Sequence, residues 1–174
     1  MVEESNLKYW RDAGHVARRT LEAMKDELQP GKTFHEIIES AERFIHRHGG
    51  KPAFPGTIAV NDLAAHFTTN HQIEGVEGWD GDMVLQKGDC VKIDFGVHIK
   101  GHIGDNALTL ESGNSTEHTE QIQAATEARD AAIEMLHPGT PWYKVGQAAA
   151  QPSLDAGFQP VSYTHLRAHE TCTN

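Results

Sequence analysis

Apolar and polar positions alternate strictly from Val91 through Ile93, Phe95, Val97 and Ile99, which is the period of a half-buried strand and not of a helix. Lys100-Gly101 then reads as a two-residue hairpin turn, with glycine supplying the positive φ such turns require. Ile103 to Leu110 returns antiparallel. This register predicts that Ile99 faces His102, Gly96 faces Asp105 and Asp94 faces Ala107. Residues facing each other across a strand pair point to one side of the sheet. Asp94 and Asp105 are therefore predicted to share a face, as diagonal neighbours about 7–8 Å apart.

The flanking sequence has helical period. Asn6 is placed to cap a helix running to about Leu28, with Trp10, Ala13, Ala17, Leu21, Met24 and Leu28 forming one apolar stripe. Pro30-Gly31 ends it. Thr33 with Glu36 makes a capping box for a second helix, whose stripe is Phe34, Ile37, Ile38, Ala41, Phe44 and Ile45 and whose stop is Gly49-Gly50. A strand is expected around Thr57 to Val60, then an Asn61-Asp62 turn and a partner strand from Leu63 to Thr68. A polar, glycine-rich loop from about Asn70 to Asp82 follows. Beyond the hairpin, Ser115 or Thr116 is expected to cap a third helix to about Leu136, with Ile122, Ala125, Ala132, Ile133 and Leu136 inward. Thr140-Pro141 opens a fourth.

The helices repeat. Leu28-Gln-Pro-Gly recurs as Leu136-His-Pro-Gly, an offset of 108 residues (136 − 28), and at that offset Phe34 matches Trp142, Ile37 matches Val145, Ala41 matches Ala149 and Gly49 matches Gly157. A duplicated half with approximate two-fold symmetry is the expectation.

Composition narrows the function classes. With 174 residues the chain is long enough for one domain with a real core. The net charge of −10, with no basic stripe, leaves nucleic-acid binding without support. Two cysteines, Cys90 and Cys172, do not make a disulfide framework. No run has the length of a membrane span, and the N-terminus lacks a signal-like apolar core, so a cytoplasmic protein is expected. Asp94 and Asp105 stand out against this background. Two carboxylates sharing a face amid apolar residues repel each other unless something positive lies between them, and a pair of divalent ions about 3.5–4 Å apart would fit that gap. Gly96, opposite Asp105, leaves room for an ion. The alternative is a wet outer face with both aspartates solvated.

Asp94-Phe95-Gly96, with ten residues between the two aspartates and then Asp105-x-Ala107, resembles the metal-binding hairpin of the methionine aminopeptidases. FPGTIAVNDLAAHFTTN, from Phe54 to Asn70, resembles their type II branch, in which Ala-Ala-His-aromatic-Thr precedes the hairpin. The resemblance implies an α+β, pita-bread fold built from duplicated helix-helix-hairpin halves, the second half being incomplete here. It implies a metalloaminopeptidase that removes N-terminal methionine from nascent polypeptides by attack of a metal-activated water. Asp94 and Asp105 would be metal ligands for two divalent ions (Co, Mn, Fe or Zn). His66 would contact substrate and donate a hydrogen bond to the developing oxyanion or the scissile amide, and Phe54 would line the methionine pocket. The implied partners are polypeptide N-termini beginning with Met, with no nucleic acid, no membrane, and a monomer in the full-length form.

The family's remaining ligands, a histidine and two glutamates, have no match in this chain; His165 and His169 lie in no corresponding motif. Residues 1–159 read as the N-terminal part of a pita-bread aminopeptidase domain. From Pro160 the text becomes PVSYTHLRAHETCTN, with neither strand alternation nor the expected Gly-His motif. It resembles a translated sequencing-adapter read-through, so residues 160–174 are expected to be non-native and the fragment inactive. Two other functions share the resemblance: a non-catalytic pita-bread binding protein, and a proline dipeptidase of the same superfamily.

Overall fold

A computed structural model describes residues 6–63, 67–69 and 82–160, in two units that divide after Glu117. In the first unit α1 (Leu7–Met24) and α2 (Phe34–Arg47) precede a four-stranded antiparallel sheet of β1 (Lys51–Pro52), β2 (Thr57–Val60), β3 (Cys90–Ile99) and β4 (His102–Glu111). The β3–β4 register is the predicted one: Asp94 pairs with Ala107, Gly96 with Asp105 and Ile99 with His102. Lys100 and Gly101 both take positive φ, 50° and 81°, as a two-residue hairpin turn demands. Lysine is unusual there. Its Nζ donates to the Tyr9 hydroxyl at 3.0 Å and lies 4.6 Å over the Tyr9 ring, which ties the hairpin tip to the start of α1.

The other edge of β3 carries β1 and β2 as one interrupted run. Pro52 pairs with Val97 and Thr57 with Asp94. The run takes five steps where β3 takes three, so two residues bulge from the ladder. The Ala53 N–H still reaches the Gly96 carbonyl at 2.9 Å, so the bulge falls on Phe54 to Gly56. The core lies on the opposite face from Asp94. Ile58, Val60, Val91, Ile93, Phe95 and Val97 from the sheet are buried with Val16, Ala17, Leu21, Phe34, Ile37, Ala41 and Ile45 from the helices.

In this unit helix ends follow their signals with two departures, both in α1. The Thr33 capping box forms in both directions: the Glu36 N–H donates to Thr33 Oγ1 at 3.1 Å and the Thr33 N–H to Glu36 Oε2 at 2.9 Å. Helix α2 closes with the Gly50 N–H on the Ile45 carbonyl and the Gly49 N–H on the His46 carbonyl, a glycine stop with Gly49 at φ 79°. Helix α1, however, ends at Met24 and not near Leu28, and Asn6 makes no side-chain cap. Leu28 is buried all the same, through a turn in which its N–H reaches the Met24 carbonyl at 3.1 Å. In the predicted strand Leu63 to Thr68, residues 64–66 lie outside the described residues. Leu63 and Phe67 to Thr69 form no regular strand, although the Ile58 N–H donates to the Phe67 carbonyl at 2.9 Å. Most of the predicted glycine-rich loop also lies outside the described residues.

The second unit is a helix pair, α3 (Thr119–Met135) and α4 (Trp142–Asp155). Here the repeat is visible in the backbone. Helix α4 has the same length as α2, 14 residues. The Phe158 N–H reaches the Ser153 carbonyl and the Gly157 N–H the Leu154 carbonyl, the same stop 108 residues on (157 − 49). Gly139 and Gly31, likewise equivalent, have φ of 89° and 92°. Burial does not repeat. Phe34 is 2% exposed and its counterpart Trp142 is 79% exposed; Ile133 and Leu136, expected inward, are exposed as well. In the first unit, strand-like contacts cover this position: the Phe34 N–H bonds the Met83 carbonyl and Thr33 pairs with Val84. Helix α3 begins at Thr119 without a side-chain cap from Ser115 or Thr116. Helix α4 runs through Pro152 without ending there, at a cost of about 3 kcal/mol for an interior proline.

Candidate metal and substrate site

The face of the sheet turned away from α1 and α2 presents Lys92 and Asp94 from β3, Thr57 from β2 and Asp105 from β4. Period two places Lys92 and Asp94 side by side. Thr57 joins them because it pairs with Asp94, and Asp105 because it pairs with Gly96. A cavity of about 450 Å³ lies over this face, lined among the described residues by Phe54, Pro55, Thr57, Thr68, Asp94 and Asp105. Three of the four predicted site residues, Phe54, Asp94 and Asp105, thus meet at one cavity. The fourth, His66, lies outside the described residues.

The two carboxyls feel each other. Partial desolvation, then the charge of Asp94 and a hydrogen bond with its carboxyl, hold the Asp105 carboxyl above its ordinary range. Asp105 is nevertheless open to solvent on β4, so its desolvation is partial. Asp94 is the more enclosed, with 27% of its side chain exposed, and accepts a hydrogen bond from Lys92 Nζ at 3.2 Å. Like charges converging at a cavity mouth, one already drawing in a lysine ammonium, suit a divalent cation. Among the described residues no group of three or more His, Cys, Asp or Glu gathers to complete such a site. The two carboxylates have the chemistry to hold a divalent ion, and among the described residues no third group of that kind joins them.

The Phe54–Gly56 bulge builds the opposite wall. Thr68 Oγ1 donates to the Gly56 carbonyl at 2.6 Å, fastening the bulge to the segment after the undescribed residues. Phe54, Pro55 and Thr68 also line a second recess of about 460 Å³ toward α2, where Glu39 and Glu42 lie. The space over Gly96 is not left for an ion. A Cβ built there would lie 2.2 Å from Phe54 Cε1, so the ring itself occupies it; this corrects the expectation drawn from the glycine's position in the strand. Sequence reasoning passed over Lys92, which the alternation that found Asp94 places on the same face. It also passed over Thr57, which only the β2–β3 register reveals.

Metallopeptidase family M24 matches residues 8–172 of this chain. A methionine aminopeptidase of Thermococcus onnurineus (strain NA1) is 36% identical over 159 residues, covering 91% of this chain and 50% of that protein. One of Methanothermus fervidus is 31% identical over 170 residues, covering 91% of this chain and 84% of that protein. Among solved structures, methionine aminopeptidase from Rickettsia prowazekii superposes with a TM-score of 0.77 at 25% identity, over 89% of this chain and 62% of that one. Prolidase from Pyrococcus furiosus superposes with a TM-score of 0.73 at 24% identity, over 88% of this chain and 44% of that one, a likeness of fold alone. The chain spans about half the length of the Thermococcus relative it matches.

Proposed function

Because the chain belongs to metallopeptidase family M24, we propose that it is the N-terminal part of a methionine aminopeptidase, with Asp94 and Asp105 as two ligands of a two-metal site. The observation that carries this reading is the convergence of both carboxyls on the cavity walled by Phe54 and Pro55. Divalent ions held there would supply Lewis acidity and a water acidic enough to act as nucleophile near neutral pH. Ligand type alone does not choose among Co, Mn, Fe and Zn. The chain's own residues do the rest. Lys92 orients Asp94 through its hydrogen bond. Phe54 and Pro55 form an apolar wall suited to the thioether chain of a substrate methionine. His66, from the Ala-Ala-His-Phe-Thr segment, donates a hydrogen bond to the oxygen that gains charge as the first peptide bond opens. The remaining ligands would come from a downstream half, and residues 160–174 would be foreign to it. The substrates are polypeptides beginning with Met, and the compartment is the cytoplasm; no helix among the described residues is long and apolar enough to cross a membrane.

A proline dipeptidase shares the fold, as the Pyrococcus likeness shows. The Phe54–Asn70 segment and the 36% identity to a methionine aminopeptidase favour the first reading. The test is made in the full-length protein. Asp94→Asn and Asp105→Asn should each weaken Mn²⁺ binding and abolish most methionine release, since a neutral amide cannot balance the ion's charge. Full metal content with near-normal turnover in either variant would overturn the assignment.

A further inference from the structure

Two aromatic rings and two glycines are exchanged between the bulge and β3. The Phe54 ring lies on Gly96, where an added Cβ would sit 2.2, 2.6 and 2.7 Å from three of its carbons. On the other face of the sheet the Phe95 ring lies on Gly56, where an added Cβ would sit 2.3 and 2.7 Å from two of its carbons. The motifs Phe54-Pro55-Gly56 and Phe95-Gly96 thus interlock, each giving a ring to the other's glycine. Phe95 is 1% exposed and belongs to the core, so its ring anchors Gly56 to the rigid side of the sheet. Pro55 between the two contacts has its φ fixed by its ring, which limits how the bulge can relax.

We propose that this reciprocal exchange makes Gly96 the positioning residue for the cavity wall: it sets Phe54 at a fixed height above β3, beside Asp94 and Asp105. Gly96 is next but one to Asp94 and pairs with Asp105, so the backbone that carries the carboxyls also fixes the apolar wall. The distance between the charged and apolar parts of the cavity is then set by the absence of one methyl group. A larger residue at 96 lifts the ring and moves the wall away from the carboxyls. The consequence is a change in how the substrate side chain is held, with metal binding left alone. The proposal rests on the reading that this cavity takes the substrate's first side chain.

The test is a double-mutant cycle in the full-length, Mn²⁺-loaded protein with Gly96→Ala, Phe54→Ala and both together. Gly96→Ala should raise KM for a methionyl tripeptide about tenfold, the scale of a lost pocket contact, with kcat and the Mn²⁺ dissociation constant each within about threefold of the parent. In the Phe54→Ala background Gly96→Ala should change KM and Tm far less, because the ring it displaces is gone. If Gly96→Ala weakens Mn²⁺ binding equally with and without the ring, the glycine makes room for the ion and the proposal is wrong. Additive effects on both KM and Tm would also overturn it. If Gly96→Ala does not fold, recovery of folding by added Phe54→Ala supports the contact and failure to recover contradicts it. If Phe54→Ala leaves KM unchanged, the substrate reading fails by itself, and coupling in Tm then decides whether Gly96 positions the ring.

Discussion

Helix α1 and strand β4 touch through two glycines whose substitution should have opposite effects. A Cβ at Gly104 would lie 2.6 Å from the Gly14 nitrogen and 2.7 Å from both Ala13 C and Gly14 Cα. All three are backbone atoms and have no rotamer to retreat into. Ordinary carbon contacts lie near 3.5–4.0 Å, so Gly104→Ala must push α1 off the sheet by about 1 Å. That loosens the packing of Ala13, Val16 and Ala17, which are 0%, 7% and 0% exposed. Overpacking of this kind costs about 1–3 kcal/mol, and the upper half of that range is expected because a whole helix must shift. At Gly14 an added Cβ meets nothing within 4 Å, and the residue lies inside α1. Gly14→Ala should therefore stabilise by about 0.5–1 kcal/mol through helix propensity. Thermal and urea unfolding of each variant read both numbers, with about 2–8 °C in Tm for each kcal/mol. A neutral Gly104→Ala would show that α1 does not approach β4 as closely as described, and a Gly14→Ala that lowers stability would show that the space beside Gly14 is not open.

Three further outcomes follow from the site and the caps. The Asp105 carboxyl is raised from its ordinary value of 3.8, by partial desolvation first and Asp94 second. Its contribution to stability is therefore present in acid below that value and lost as pH rises through its folded value. With metal chelated, Asp105→Asn should gain stability relative to the parent between pH 4 and pH 7; a relative loss in Tm across that interval would contradict the raised carboxyl. Thr33→Ala removes the side-chain half of the α2 capping box and should cost about 1 kcal/mol, read by urea unfolding, with no change indicating that the cap is idle. In the full-length protein His66→Ala should lower kcat more than it changes KM, as loss of a transition-state donor does; a rise in KM alone would make His66 a ground-state contact.

The hairpin was legible to the residue because period two and a two-residue turn leave no freedom in register. The same two facts place Asp94 and Asp105 on one face. The helix repeat was legible because Pro-Gly stops and glycine caps are local signals that need no partner. What escaped was decided by contacts between distant segments. The Phe54–Gly56 bulge arises from a mismatch between two runs on one edge of β3, and no pattern within either run announces it. Gly96 therefore looked like room for an ion when it is room for a ring. Helix α1 ends at Met24 because the following turn buries Leu28 equally well, and an apolar stripe does not distinguish helix from turn. The stripe of α3 named Ile133 and Leu136 as inward, yet both are exposed; periodicity shows which side of a helix is apolar, not whether anything covers it.

The most direct measurement is the hydrolysis product of the full-length protein reconstituted with Mn²⁺, given a methionyl peptide such as Met-Ala-Ser and, in parallel, an X-Pro dipeptide. The account predicts metal-dependent release of free methionine, abolished by chelation and by Asp94→Asn, with little cleavage of the X-Pro bond. Preferential cleavage of the X-Pro dipeptide, or methionine release that survives both chelation and Asp94→Asn, would contradict it.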